Sequence, residues 1–149
     1  MRLVVDANVL IAAFLRSATT RELLLDARLS LCAPAHSLSE TEHVLLSPRL
    51  RRKIGGLSRD DIWLGLREIS RRLAIMPVDS FEHRLKEALL LAPHPEDAPY
   101  LALALHLGSP LWSKRRSFEV PAVCFGLQHG RNTLLAQVSI TILCFASTP

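Results

Sequence analysis

Three acids in this 149-residue chain stand where a carboxylate can do more than face solvent. Asp6 closes the apolar run Leu3-Val4-Val5 and precedes Ala7-Asn8-Val9-Leu10-Ile11. Glu40 follows the run ending at Ala33 by a few residues, and Asp97 stands before Ala98-Pro99. A carboxylate at the carboxyl end of a buried strand sits where open α/β sheets bind their ligands. Each acid also has an ordinary structural use. Asp6 can cap a helix, Ser37-x-x-Glu40 has the form of a capping box, and Asp97 precedes a proline suited to a first helical turn. Together they point elsewhere. Right-handed crossovers bring successive strand ends to one sheet edge, and three carboxylates gathered there repel one another. A hard divalent cation, Mg2+ or Mn2+, prefers carboxylate oxygen and water and relieves that repulsion. It can also orient water against a phosphodiester and neutralise charge on the transferring phosphorus. Asp6, Glu40 and Asp97 are therefore the candidate catalytic and metal-ligating residues.

The elements that must position them alternate. Short β-rich apolar runs at Arg2–Asp6, Leu29–Ala33, Ala74–Val78 and Pro110–Ser113 predict strands. Helical patterns lie between them near Ala7–Leu15, Arg21–Ala27, Leu38–Leu46, Arg59–Leu73, Phe81–Leu91 and Ala98–Leu107. This alternation is the signature of βαβ units and a parallel sheet. Ser58 with Asp61 predicts a capping box, Ser80 a further N-cap, and Gly108 before Pro110 a helix stop. Gly55-Gly56 marks a turn, and Val138–Phe145 favours a late strand. No linker, repeat or low-complexity tract divides the chain, which predicts one domain over residues 1–149.

Composition agrees with a sheet covered on both faces: 49% of residues are apolar, and most are aliphatic. No apolar run reaches the roughly 18–20 residues that span a bilayer, and Asp6 and Asn8 interrupt the only stretch resembling a leader. The three scattered cysteines, Cys32, Cys124 and Cys144, lack metal-ligand spacing and predict buried thiols in a cytoplasmic protein. The net charge of +4 is unevenly spread. Basic clusters at Arg49/Arg51/Arg52/Lys53, Arg67/Arg71/Arg72 and Lys114/Arg115/Arg116 each suit a solvated face, and jointly they suit a polyanion.

The ordered segments Leu3–Ile11, Ala33–Glu40 and Glu96–Leu105, followed by Pro110-Leu111-Trp112-Ser113, resemble the PIN domain family of metal-dependent ribonucleases. The resemblance runs to about Phe118. It implies a three-layer α/β/α sandwich with a central, mostly parallel sheet of about five strands. It also implies Mg2+- or Mn2+-dependent endonucleolytic RNA cleavage on Asp6, Glu40 and Asp97. Asn8 matches a polar position that orders the site, and Ser113, at a strand end, is a further candidate to orient substrate or a metal-bound water. Small members of the family are often toxins of toxin–antitoxin pairs, which implies a cognate antitoxin protein and a homodimer.

One departure stands out. Arg115 and Ser117 occupy positions where the family usually carries acids, and an always-protonated guanidinium opposes cation binding. The competing expectation is thus a PIN-fold module that binds RNA or protein with weakened or lost catalysis. A receiver-like phosphoacceptor is a third class, but Asp6 lacks the neighbouring acid that such a site needs.

Overall fold

The computed structural model describes residues 1–15, 17–53, 57–114 and 142–143. Five strands form one sheet: β1 (Arg2–Val5), β2 (Ser30–Pro34), β3 (Leu73–Met76), β4 (Leu111–Trp112) and β5 (Ile142–Leu143). The spatial order is β3-β2-β1-β4-β5, and every neighbouring pair is parallel. The helices are α1 (Ala7–Phe14), α2 (Ala18–Leu25), α3 (Ser37–Leu46), α4 (Pro48–Lys53), α5 (Arg59–Ser70), α6 (Leu85–Leu91) and α7 (Ala98–Leu107). This is the expected α/β fold with its helices on both sides of a parallel sheet.

The pleat explains why β1, β2 and β4 carry consecutive buried apolar residues, since consecutive side chains enter opposite layers. Val4, Cys32 and Leu111 join the core built with Phe81, Ala88 and the α7 residues Tyr100–Leu105. Leu3, Val5, Leu31, Ala33 and Trp112 join the other core, with Val9, Leu10 and Ala13 of α1 and Leu24 of α2. A third cluster of Ile11, Leu45, Ile62 and Leu66 fastens α3 and α5 to α1. Helix α7 is buried along almost its whole length, which its run of Leu and Ala allows.

Local signals account for most boundaries. Ser58 and Asp61 form the expected reciprocal capping box, with the Asp61 amide donating to Ser58 Oγ at 3.1 Å and the Ser58 amide to Asp61 Oδ2 at 2.9 Å. That hydroxyl and amide hold the Asp61 carboxyl below the usual carboxylate range. Ser17 caps α2, so that helix begins before the expected Arg21. Gly108 ends α7 at φ +55°, where a side chain is strained whatever the space around it. Nothing lies within 4 Å of the position a Cβ would take there. Gly108→Ala is therefore expected to cost about 1 kcal/mol from backbone strain alone, read as a lower urea midpoint with unchanged slope.

Four expectations need correction. Ser80 does not cap a long helix: Val78–Ser80 and Glu82–Arg84 are separate 3-10 turns, and Ser80 Oγ donates to the Pro77 carbonyl at 2.6 Å. Only Leu85–Leu91 is α-helical in that stretch. Helix α5 stops at Ser70, because Leu73 already pairs with β2 in β3. Helix α4 was not expected; Pro48 at its first position suits a helix start, but it buries no residue and so carries no apolar periodicity. Ser37 does not cap α3, as described below. The expected turn at Gly55-Gly56, Cys124, Cys144 and most of the Val138–Phe145 strand lie outside the described residues. Among the described residues Cys32 is buried and free, and no helix is long and apolar enough to cross a membrane.

Candidate active site

The chain builds outward from β1 to β2 and β3, then returns to the other side of β1 to add β4. The strand order therefore reverses between β1 and β4, and a crevice at the carboxyl ends of strands at such a point is where ligands bind in open α/β sheets. Asp6 follows β1, Ser113 follows β4, α3 follows β2, and α7 is the helix that leads into β4. The topology thus carries all five sequence-predicted residues toward one edge.

Asp6 is 2% exposed. It does cap α1, its Oδ1 accepting from the Asn8 amide at 3.2 Å. Its two oxygens are also bridged by Asn8 Nδ2, each at 3.3 Å, and Oδ2 accepts from the buried Ser113 hydroxyl at 2.5 Å. The backbone aligns the two strand ends, with the Asp6 amide donating to the Trp112 carbonyl at 3.1 Å. Asn8 and Ser113 are thus placed directly on Asp6. All these donors are neutral, and among the described residues Asp6 has no ion pair. The cap and the site are the same carboxylate.

Glu40 lies in the first turn of α3 but does not close a capping box. The helix starts one residue earlier than such a box requires: His36 is the N-cap, without a side-chain bond, and Ser37 is already helical. Glu40 turns instead to α7, where the Tyr100 hydroxyl donates to its Oε2 at 2.7 Å. Ser37 Oγ is left buried with no hydrogen-bond partner among the described residues. Asp97 is 1% exposed and ends the 3-10 turn Pro95–Asp97 at the start of α7, making no side-chain cap bond there. It sits three residues before Tyr100, on the same side of the helix start.

Tyr100 was missed by sequence reasoning. It is 2% exposed, and its ring meets that of His36 edge-on at 5.4 Å. Burial pushes its phenol far above the usual range, and the hydrogen bond to Glu40 and the charges of Glu40 and Asp6 push it the same way. It is therefore a neutral donor at any working pH. A lone tyrosine in an otherwise aliphatic run reads as core; its place one turn after Asp97 was the available signal.

The donor set has the chemistry of a hard-cation site: buried carboxylate oxygen, with hydroxyl and amide groups that hold Asp6 and Glu40 in place. The gathering is incomplete, however. Among the described residues no group of three His, Cys, Asp or Glu side chains is placed to hold a metal ion. Asp6 meets Asn8 and Ser113 directly, Glu40 is reached through Tyr100, and Asp97 flanks Tyr100 along the chain. Arg115 and Ser117, the departures from the expected acids, lie outside the described residues.

Of the basic clusters, Arg49, Arg51, Arg52 and Lys53 are fully on the surface of α4. The second is partly occupied, since Arg71 pairs with Glu68 at 2.7 Å and Arg72 donates to the Asp26 carbonyl at 3.0 Å. In the third, Lys114 lies 3.5 Å from Ser17 Oγ.

A parallel sheet with helices on both sides and a buried acid at its reversal point defines the class: an α/β protein with a buried carboxylate at the carboxyl edge of its sheet. A PIN domain family model matches residues 4–133, and the chain belongs to that family. Among solved structures it is similar to a chain in the crystal structure of VapBC2 from Rickettsia felis bound to a DNA fragment from their promoter. That likeness has a TM-score of 0.58 at 12% identity and covers 98% of this chain and 100% of the other. A separate search of curated proteins gives no match.

Proposed function

We propose that this chain is a divalent-metal-dependent endoribonuclease of the toxin type, folded as one domain over residues 1–149. The observation that carries the reading is Asp6: a buried carboxylate at the sheet's reversal point, held by neutral donors from both sides. Membership of the PIN domain family supports giving that carboxylate a metal-binding role. Asp6, Glu40 and Asp97 would hold Mg2+ or Mn2+, which when bound supplies an activated water and stabilises charge on phosphorus. This chain's own groups do the positioning. Asn8 and Ser113 fix Asp6, and the exposed α4 cations offer electrostatic attraction to the RNA backbone. The net positive charge supports RNA over an uncharged substrate.

A cytoplasmic location, a homodimer and a cognate antitoxin belong to the same reading. They rest on the family resemblance and accord with the fold shared with a VapBC2 chain. The second reading, a PIN-fold binding module without catalysis, is favoured by two observations. No three ligands are gathered among the described residues, and Arg115 stands where an acid is expected.

One experiment separates them. Purified protein is expected to cleave single-stranded RNA with Mn2+ and to stop when the metal is chelated. Cleavage that survives chelation would sink the metal mechanism. A silent wild type together with an Arg115→Asp variant that cleaves with Mn2+ would establish the binding module instead.

A further inference from the structure

Tyr100 is joined to Glu40 across 60 residues of sequence, and its position is fixed at both ends. Its ring is buried in the α7 core and meets His36, the residue that caps α3. Its hydroxyl reaches Glu40 in the first turn of that same helix. Along α7 it follows Asp97 by three residues, and the charge of Asp6 acts on its phenol as well. No other described side chain contacts Glu40 by a hydrogen bond. A glutamate has more rotamer freedom than an aspartate, so a half-buried Glu serving a metal site needs an outer partner to hold it.

We infer that Tyr100 is a positioning residue. Its hydroxyl holds Oε2 of Glu40, steadying a carboxylate that would help hold a divalent cation, and ties α3 to the Asp97 end of α7. The inference rests on the metal reading above, and extends it to a residue that touches no reacting atom. Because Tyr100 donates from a rigid, buried ring, its bond to Glu40 lowers the ordering that cation binding would otherwise require.

The test is a double-mutant cycle on Mn2+ affinity, measured by titration calorimetry without RNA, with urea unfolding of each variant alongside. Tyr100→Phe keeps the ring and removes the donor; Tyr100→Leu removes the donor with a different apolar side chain. Each is expected to bind Mn2+ about tenfold or more weakly than wild type. The loss should vanish when Glu40→Gln is already present, because Tyr100 acts through Glu40. Wild-type affinity or tighter in the hydroxyl-free variants would overturn the inference and leave the metal reading standing. So would a loss undiminished in the Glu40→Gln background, which marks a general structural effect. Failure of the wild type itself to bind Mn2+ would overturn both.

Discussion

Asp6→Asn is expected to abolish metal-dependent RNA cleavage, by roughly 10^3-fold or more, while leaving the protein folded. The fold survives because the structural half of Asp6's work passes to asparagine. Asn is as good an N-cap as Asp, so the bond from the Asn8 amide into α1 is kept. The Ser113 hydroxyl can rotate to accept from the new amide where it donated to Oδ2. What cannot pass over is the charge. A neutral amide offers one weak oxygen to a dication in place of a carboxylate at a site 2% exposed. Near-wild-type unfolding with lost cleavage and lost Mn2+ binding is the predicted pair of results. Cleavage unchanged by Asp6→Asn would remove Asp6 from the chemistry, whatever the rest of the site does.

The second large effect is on stability. Trp112→Ala should destabilise the domain by about 3–5 kcal/mol. Its side chain is completely buried among Leu3, Val5, Leu10 and Leu24, on the opposite side of the sheet from α7. A tryptophan-sized void between strand and helices cannot close without moving β4, and β4 is only two residues long. Its carbonyl accepts the Asp6 amide, and Ser113 is the next residue, so any β4 shift also loosens the donor on Asp6. For a domain of this size the loss corresponds to a fall in Tm of roughly 10 °C. A fall of only a degree or two would show that the pocket collapses freely.

The sheet was legible in the sequence because its information is local and redundant. Leu3-Val4-Val5, Leu31-Cys32-Ala33 and Leu111-Trp112 are apolar on both faces, which few structures other than a buried parallel strand require. The positions of Asp6, Asn8 and Ser113 followed from the strand ends. What was not legible depends on contacts between distant segments. The Ser37-x-x-Glu40 spacing satisfied a local rule, but the helix start at Ser37 and a donor 60 residues away decided Glu40's partner. Helix α4 escaped because only Leu50 of its six residues packs against the core, and one apolar contact leaves no period. The 3-10 turns after Pro77 escaped because Phe81, Leu85 and Ala88 pack into the core as a helix would while the backbone between them is tighter.

The bond between Ser113 and Asp6 closes a loop of 107 residues. During synthesis Asp6 leaves the ribosome early and can meet Asn8 at once, but its partner on β4 does not yet exist. Until the chain has been made through Ser113 and has turned back beside β1, the half-built protein holds an acid with only its local neighbour. The order of residues along the gene therefore acts as a timer, delaying completion of the site until most of the molecule around it has been made.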